Sequence, residues 1–140
     1  MSHSRLYVKV LFLATLPVVS TACRTARIKN PDPIKLTASK DVVRRAILDA
    51  CDSKSWLVTK ESPGELHATR VVRGRHELTV VVKYNDEGVQ IRYESSKGLK
   101  YKKGFSGKEY LHKNGMVWMN ELRWAIHQKL SRARREAETP

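Results

Sequence analysis

The stretch ELHATRVVRGRHELTVVVKY, residues 65–84, decides the fold of this chain. Apolar and polar residues alternate on both sides of Arg73-Gly74-Arg75, as expected for two antiparallel strands joined by a tight turn. Similar segments flank this hairpin across Ser62-Pro63-Gly64 and Asn85-Asp86-Glu87-Gly88. The four alternating segments are Trp56–Glu61, Glu65–Arg73, His76–Tyr84 and Val89–Glu94. Their order and short turns predict a four-stranded antiparallel meander sheet.

The strand registers of this meander give one consistent apolar face. The expected partners at the three turns are Glu61 with Glu65, Val72 with His76, and Tyr84 with Val89. The face formed in this way contains Trp56, Val58, Leu66, Ala68, Leu78, Val80, Val82, Tyr84, Val89, Ile91 and Tyr93, with Arg70 as the one charge near its centre. The opposite face is a mixture of polar and apolar residues that includes His67, and it is expected to meet water or a polar partner.

Two helices complete the expected fold. Thr37 or Ser39 can cap a first helix that ends near Ser53 and carries an apolar stripe. A second, long helix is expected to begin near Gly107 and to run into the 130s. Its apolar stripe consists of Leu111, Gly115, Trp118, Leu122 and Ile126. Both helices need apolar partners, so we expect a two-layer α+β domain with the two helices packed on one face of the sheet.

The first 22 residues have the three parts of a secretory signal peptide. Residues 1–9 contain Arg5 and Lys9 but no acid, residues 10–19 (VLFLATLPVV) are apolar, and small residues follow. Ten residues make roughly 15 Å of helix, about half of a bilayer core, which argues against a permanent transmembrane span. Residues 1–22 are therefore assigned as an export signal.

Cys23 stands directly after the expected cleavage point. The sequence Thr21-Ala22-Cys23 resembles the end of the bacterial lipobox, although Ser20 stands where leucine is usual. The resemblance implies that Cys23 becomes the lipid-modified first residue of the mature chain, carrying palmitate or a similar acyl group. Two alternatives are an ordinary cleavage site and a disulfide between Cys23 and Cys51, which an oxidising compartment would permit.

The mature chain is expected to consist of a tether and one domain. Residues 23–36 form the lipidated N-terminus and a flexible tether, because Pro31 and Pro33 exclude a helix there. The tether's cations either lie against anionic headgroups or are simply solvated. Residues 37–140 form a single α+β domain that ends in a basic helix, and a chain of 140 residues leaves little room for a second domain.

A series of short motifs runs through the domain between residues 42 and 130. The motifs include Pro63-Gly64-Glu65-Leu66-His67-Ala68, Val82-Lys83-Tyr84, Ile91-Arg92-Tyr93-Glu94-Ser95-Ser96, Leu99-Lys100-Tyr101 and His112-Lys113-Asn114. In this order and spacing they resemble a family of small, uncharacterised bacterial envelope lipoproteins, which join a lipobox-like signal to an α-ββββ-α domain. The resemblance implies a location in the envelope, but it implies no activity, cofactor or catalytic residue.

Charge is the most informative property of the composition. The chain has 27 Lys and Arg residues against 14 Asp and Glu, a formal net charge of +13. Removal of residues 1–22 takes away two basic residues and no acid, which leaves 25 against 14, or +11. The candidate ligands for anions are Arg70, Arg73 and Arg75; Lys97, Lys100, Lys102, Lys103 and Lys108; and Lys129, Arg132, Arg134 and Arg135. Such a field attracts polyanions, although it can also serve solubility alone.

Three aromatic residues and one histidine complete the candidate sites. Tyr101 and Phe105 lie among the lysines of residues 97–108, and Trp124 lies on the outer face of the second helix. There Trp124 could meet a membrane interface, fill a partner's pocket or pack against the tether. No hydrolase, phosphate-loop or metal-site motif is present, so we expect no metal and no cofactor. His67 is the one side chain to test as a general base.

These observations predict a non-catalytic, lipid-anchored protein of the bacterial cell envelope. Arg24, rather than Asp, after the cysteine implies by resemblance an outer-membrane lipoprotein facing the periplasm. The expected ligand is an anionic lipid, lipopolysaccharide, an anionic wall polymer or a partner protein. A basic nucleic-acid-binding α+β module is the alternative that the charge suggests, and the export signal argues against it. A small periplasmic enzyme is the third alternative.

Overall fold

Eight strands and two helices make up the described part of the chain. The structure is a computed structural model, and it describes residues 24–139. The strands are β1 (Thr25–Arg27), β2 (Ile34–Lys35), β3 (Trp56–Ser62), β4 (Glu65–Val72), β5 (His76–Tyr84), β6 (Gly88–Lys97), β7 (Lys102–Lys103) and β8 (Glu109–His112). The helices are α1 (Lys40–Ser53) and α2 (Lys113–Glu138). The expected signal peptide and Cys23 lie outside the described residues.

The larger sheet has five antiparallel strands, in the order β2-β6-β5-β4-β3. Its strands β3 to β6 follow one another as the predicted meander does. The expected pairing of Val72 with His76 and of Tyr84 with Val89 is confirmed. The prediction of four strands is corrected to five in this sheet, because β2 pairs with the free edge of β6.

The first turn of the meander differs from its predicted register. Ser62, and not Glu61, faces Glu65, so Pro63-Gly64 forms a two-residue turn with Gly64 at a φ of +80°. An irregularity between Val58 and Lys60 then shifts the pairing by one residue. Because this bulge compensates for the shorter turn, the first residues of β3 keep the predicted face.

The expectation of a flexible tether is corrected by two short strands in residues 24–36. β1 pairs with β8, and β2 pairs with β6. Pro31 and Pro33 exclude a helix, but they leave the chain free to pair at a sheet edge. Ile34 is buried in the core, and Gly88 opposite this segment makes the approach possible, because a β-carbon there would collide with Ile34 O.

The long helix begins at Lys113, not near Gly107 as the apolar spacing predicted. Gly107 has a φ of +70°, and its N–H donates to Gly104 O at 3.0 Å, so the chain reverses before β8. β8 then lies between β1 and β7 in a second, three-stranded sheet. Leu111, predicted as part of the helical stripe, is buried but lies in strand β8. Over a few residues, helical and strand spacing can bury the same position, so the apolar pattern did not distinguish them.

The two helices pack against each other and cover the predicted apolar face. Ser39 caps α1, as one of the two expected capping residues, by accepting a hydrogen bond from Val42 N at 3.4 Å. From the sheet, the buried residues are Trp56, Leu66, Ala68, Leu78, Val80, Val82, Tyr84, Val89 and Ile91. α2 contributes Met119, Leu122, Ala125, Ile126 and Leu130 to the same core. The opposite face is open and exposes Leu57 and Val71.

Cys51 is a buried thiol of α1. It forms no disulfide within residues 24–139, and burial raises its pKa to about 12. A thiol with so high a pKa holds little thiolate at neutral pH, so it is a poor nucleophile. It serves as a small apolar residue of the core.

Candidate functional site

A cleft rich in basic residues lies at the end of the molecule where the described chain begins. Four segments meet there: Arg24, the β4–β5 turn, the loop between β6 and β7, and the start of α2. The cleft has a volume of about 440 Å³, which lies within the range of small-ligand sites. Its lining residues are Arg24, Val72, Arg73, His76, Gly98, Leu99, Lys100, His112, Asn114 and Trp118. We call this the basic cleft.

Backbone hydrogen bonds hold the segments of the basic cleft together. His112 N donates to Leu99 O at 2.8 Å, and this bond ties the end of β8 to the β6–β7 loop. Lys113 N donates to Arg24 O, also at 2.8 Å. The second bond satisfies one of the otherwise unpaired N–H groups at the start of α2. Arg24 is therefore fixed beside the start of this helix.

Gly98 lets the β6–β7 loop approach the β4–β5 turn. Its φ is +69°, and a β-carbon at this position would collide with Arg75 O. His76 Nδ1 donates to Gly98 O at 2.9 Å, because a carbonyl oxygen can only accept. This close contact sets the separation of the two loops that carry Arg73 and Lys100.

Arg73 and Lys100 both have a left-handed backbone conformation. Their φ angles are 54° and 53°, and only one other non-glycine residue of the described chain, Ser55, has a positive φ. This conformation costs a side-chain-bearing residue about 1 kcal/mol. Arg73 and Gly74 both have positive φ, as in a type I′ turn, where Asn is common at the first position. The chain thus keeps a cation at two positions that favour other residues.

The three cations of the basic cleft have no acidic partner among residues 24–139. Arg24, Arg73 and Lys100 take part in none of the ion pairs of the described chain. No Asp or Glu lines the cleft. All three residues are exposed, so their charges are available to an anion from solution or from a surface.

Two histidines add polar groups to the basic cleft. His112 is the N-cap of α2, and its Nδ1 accepts a hydrogen bond from Asn114 N at 3.2 Å. A neutral His112 therefore carries its proton on Nε2, where it can donate to a ligand. His76 Nδ1 is occupied by Gly98 O, so only Nε2 of this ring is left for a ligand. The cleft brings together two histidines that are 36 positions apart in the sequence.

Arg70, one of the predicted anion ligands, has an acidic partner in the structure. Its guanidinium donates to Glu121 Oε2 at 2.7 Å and lies 5.4 Å from the ring centroid of Trp118. Glu121 of α2 therefore neutralises Arg70 at the centre of the apolar sheet face. The Arg70 guanidinium also covers one side of the Trp118 indole, which lines the cleft. Arg75 is exposed at the same turn, but its side chain does not line the cleft.

The basic cluster at the end of α2 is largely paired within the helix. Arg132 donates to Glu136 at 2.8 Å and Arg134 to Glu138 at 2.9 Å. The spacing of four residues places each carboxylate one turn further along the same face. Lys129 and Arg135, in contrast, take part in no ion pair of the described chain.

The β7–β8 hairpin carries the remaining predicted lysines. Lys102, Lys103 and Lys108 are exposed around its turn, and Phe105 is fully exposed at its tip. Lys97, at the end of β6, lies 4.0 Å from Glu77 and is only loosely paired.

Tyr101 lies just before this hairpin, and 42% of its surface is exposed. Its ring stacks on Tyr93 with the centroids 5.9 Å apart. Its hydroxyl donates to Glu109, and this hydrogen bond raises the pKa of Tyr101. Through these contacts Tyr101 stabilises the hairpin, while part of its ring stays exposed.

His67 lies on the open face of the larger sheet, enclosed by two carboxylates. Its Nδ1 lies 2.9 Å from Glu94 Oε2, and its Nε2 lies 3.0 Å from Glu65 Oε1. The hydrogen bond to Glu94 is the largest of the effects that raise the pKa of His67, and Glu65 adds to it. Both ring nitrogens of His67 are therefore occupied by carboxylates, whereas a general base needs a free nitrogen.

Trp124 is exposed on α2, as its place on the helical wheel predicts. More than half of its surface, 57%, is accessible. Lys54 Nζ lies 5.7 Å from its ring centroid, a cation–π contact, and Met116, Val117 and Asn120 form a shallow apolar groove with it. The segment expected as a tether touches the neighbouring residue instead, because Arg123 Nε donates to Asp32 O at 2.6 Å.

Several residues of the basic cleft were missed in the sequence. The predicted anion ligands included Arg73 and Lys100 but not His76, His112 or Trp118, and Arg24 was expected only among the tether cations that could lie against headgroups. The available signal was glycine: Gly74 and Gly98 mark the two loops that must turn sharply beside a basic residue. No pattern of neighbouring positions could show that these loops meet.

Compared with known proteins, the chain matches no family model, no curated protein and no solved structure. Within residues 24–139, no three side chains of the His, Cys, Asp and Glu types are arranged to hold a metal ion. No helix in the same range has the length and apolar composition needed to cross a membrane.

Proposed function

We propose that this chain is a lipid-anchored protein of the bacterial envelope whose basic cleft binds an anionic envelope component. The observation that carries the proposal is the group of three cations, Arg24, Arg73 and Lys100, which line one cleft with no acid beside them. A cluster of uncompensated positive charge in a concave site concentrates anions. The role is non-catalytic, and the component is an anionic lipid, lipopolysaccharide or an anionic wall polymer.

The position of the cleft supports a role next to the anchoring membrane. Arg24 directly follows Cys23, the proposed lipidation site, and one residue spans at most about 3.6 Å. Arg24 is held against the start of α2 by its hydrogen bond to Lys113 N. An acylated Cys23 would therefore bring the basic cleft to the headgroup layer, where each Lys or Arg contributes about 1 kcal/mol of attraction. The outer membrane, with the domain in the periplasm, is the proposed location.

The lipid anchor is tested by labelling expressing bacterial cells with radioactive palmitate. We expect label in the wild-type protein and none in a Cys23→Ala variant, which should also keep its signal peptide. Cys51→Ala is the matched control: it also removes one cysteine, but a buried one, and should remain labelled. Label in the Cys23→Ala variant, or none in the wild type, would contradict the anchor.

The function of the basic cleft is tested with vesicles and with nucleic acid. We expect a protein that begins at Arg24, and so carries no acyl group, to sediment with vesicles containing phosphatidylglycerol and to stay in the supernatant with vesicles of phosphatidylcholine alone. Tighter binding to a single-stranded or double-stranded oligonucleotide than to the anionic vesicles would favour the nucleic-acid alternative. The phosphate backbone of a nucleic acid attracts any basic surface at low salt. The comparison is therefore made at about 0.15 M salt, which weakens such non-specific binding.

A further inference from the structure

We infer that the basic cleft binds a phosphate group carried on a lipid, a phosphomonoester or phosphodiester headgroup. The inference rests on the proposed envelope function for the source of the ligand and deepens it by naming the chemical group. It depends on which donors surround the cleft, where they come from and how their backbone is held.

The donors reach the cleft from four separate segments. Arg24 comes from the N-terminal segment, Arg73 from the β4–β5 turn, Lys100 from the β6–β7 loop and His112 from the start of α2. A phosphate group presents oxygens in several directions and can accept from all four walls. A carboxylate presents two oxygens in one plane, which a single Arg already satisfies. The arrangement therefore fits a phosphate better than a carboxylate.

The backbone of the cleft keeps its cations at a cost in stability. Arg73 and Lys100 are left-handed, a conformation that Asn and Gly adopt more easily. Such strain persists where the surrounding structure demands it and is concentrated at binding sites. A requirement for the two side chains in the cleft would account for their presence at these positions.

The cleft also has an apolar wall. Leu99 is 3% exposed, and Val72 and Trp118 are half-buried beside it. Arg70 covers the Trp118 ring and is itself neutralised by Glu121, so this side of the cleft attracts apolar groups rather than a second anion. A phospholipid fits both sides of the cleft: its phosphate can bind the cations, and its glycerol and the first acyl carbons can contact the apolar wall.

Two other basic regions of the described chain lack this combination. Arg132 and Arg134 are neutralised within α2. Lys102, Lys103 and Lys108 surround an exposed loop tip and are not among the residues that line the basic cleft. Substituting two of these lysines therefore removes the same charge as substituting two cleft cations, but at a different place on the surface.

The test uses the protein as isolated from expressing cells, in dodecyl maltoside micelles, and measures binding by calorimetry. The probes are dihexanoyl-phosphatidylglycerol, glycerol 1-phosphate, and hexanoate as a carboxylate. We expect the short-chain phospholipid to bind tightest, glycerol 1-phosphate more weakly, and hexanoate least. Equal binding of the two phosphate compounds would overturn the lipid source, and equal binding of hexanoate would overturn the preference for phosphate.

Variants separate the cleft from net charge. Arg73→Asn together with Lys100→Asn should weaken binding of the phospholipid by about tenfold or more, since two cations are lost from the site. The melting temperature should stay the same or rise, because Asn tolerates the left-handed backbone. Lys102→Asn with Lys103→Asn removes the same charge elsewhere and should weaken binding less than about twofold. An equal loss in both pairs would overturn the site.

His112→Asn tests the histidine donor alone. Asn is a good N-cap residue, so α2 keeps its cap while the Nε2–H donor is lost. We expect about threefold weaker binding with no loss of stability, the effect of one neutral hydrogen bond. No change would remove His112 from the site. An absence of binding in the wild type would overturn the cleft while leaving the palmitate result, and with it the proposed anchor, unaffected.

Discussion

The basic cleft and the C-terminal end of α2 are both rich in Arg and Lys, but the helix pairs two of its four cations with acids, whereas the cleft pairs none of its three. In the helix, Arg132 and Arg134 find Glu136 and Glu138 one turn away. In the cleft, Arg24, Arg73 and Lys100 come from distant parts of the sequence and meet no acid. A dense basic stretch in a sequence can thus neutralise itself, whereas scattered cations can accumulate in space.

The difference follows from how each region is built. A helix places residues four apart on one face, so an Arg-rich stretch followed by glutamates becomes a set of exposed ion pairs. The cleft forms where two tight turns and a helix start are brought together, and Gly98 is the contact on which this junction depends. Four changes test the contrast, beginning with the largest expected effect.

The junction itself is tested by Gly98→Ala. The new β-carbon would meet Arg75 O and would hold the left-handed φ of +69°, so we expect a loss of about 2 kcal/mol or more in the free energy of unfolding. Gly107→Ala is the matched control, because Gly107 has a φ of +70° with nothing within 4 Å of its β-carbon. It should lose only about 1 kcal/mol. Urea unfolding of both variants gives the comparison, and equal losses would show that the junction is not tightly packed.

Glu121→Gln should turn a neutralised arginine into a cleft cation. The variant removes the carboxylate that holds Arg70, whose side chain is 21% exposed, so the free energy of unfolding should fall by about 0.5–1 kcal/mol. Because Arg70 lies over Trp118 at the cleft wall, its freed charge should raise the affinity for dihexanoyl-phosphatidylglycerol about two- to threefold. Reduced affinity would mean that the cleft binds phospholipid only when Glu121 holds Arg70 over Trp118.

A third change concerns His67, which lies between two acids, whereas the cations of the cleft have none beside them. Its pKa is raised above the ordinary 6.5, so its stabilising effect is fully present below pH 6.5 and is lost as the pH rises through the higher value in the folded state. The pKa of Glu65 is lowered from 4.5, mainly by its hydrogen bond to His67, so that contribution is lost as the pH falls below 4.5.

The difference in melting temperature between wild type and His67→Gln is therefore expected to be greatest between about pH 5 and 6.5 and to shrink toward pH 9. Thermal unfolding followed by circular dichroism at a series of pH values measures it. His127→Gln, which removes an exposed imidazole of α2, is the control for the loss of a histidine as such. A constant difference across this range would show that His67 is not charged in the fold.

The smallest effect is expected at the C-terminal end of α2. Glu136→Gln with Glu138→Gln frees Arg132 and Arg134, whose side chains are 72% and 66% exposed. Exposed pairs contribute little, so the melting temperature should not change measurably. Phospholipid affinity should not change either, because the freed charges lie away from the cleft. An increase equal to that of Glu121→Gln would mean that net charge alone governs binding.

Much of the fold could be predicted because its determinants are local. The alternation of residues 56–94 fixed which face of the sheet is buried, and Ser39 capped α1 where a capping residue was expected. The pairing of β2 with β6 could not be predicted, since it depends on Gly88 accepting the backbone of a segment more than 50 residues away. The predicted start of α2 was wrong for a similar reason. The residues just before α2 form strand β8, which pairs with β1 and β7, and local spacing does not show that pairing.

The same division holds for the candidate site. The sequence by itself determined the excess of positive charge, the apolar sheet face and the cysteine that follows an export-like segment, because composition and short-range spacing carry this information. Only the tertiary structure decided which cations are neutralised, as Arg70 is by Glu121, and which remain open, as Arg73 and Lys100 do. The physical reason is that electrostatic compensation depends on distances of a few ångströms between side chains, and those distances are set by long-range packing.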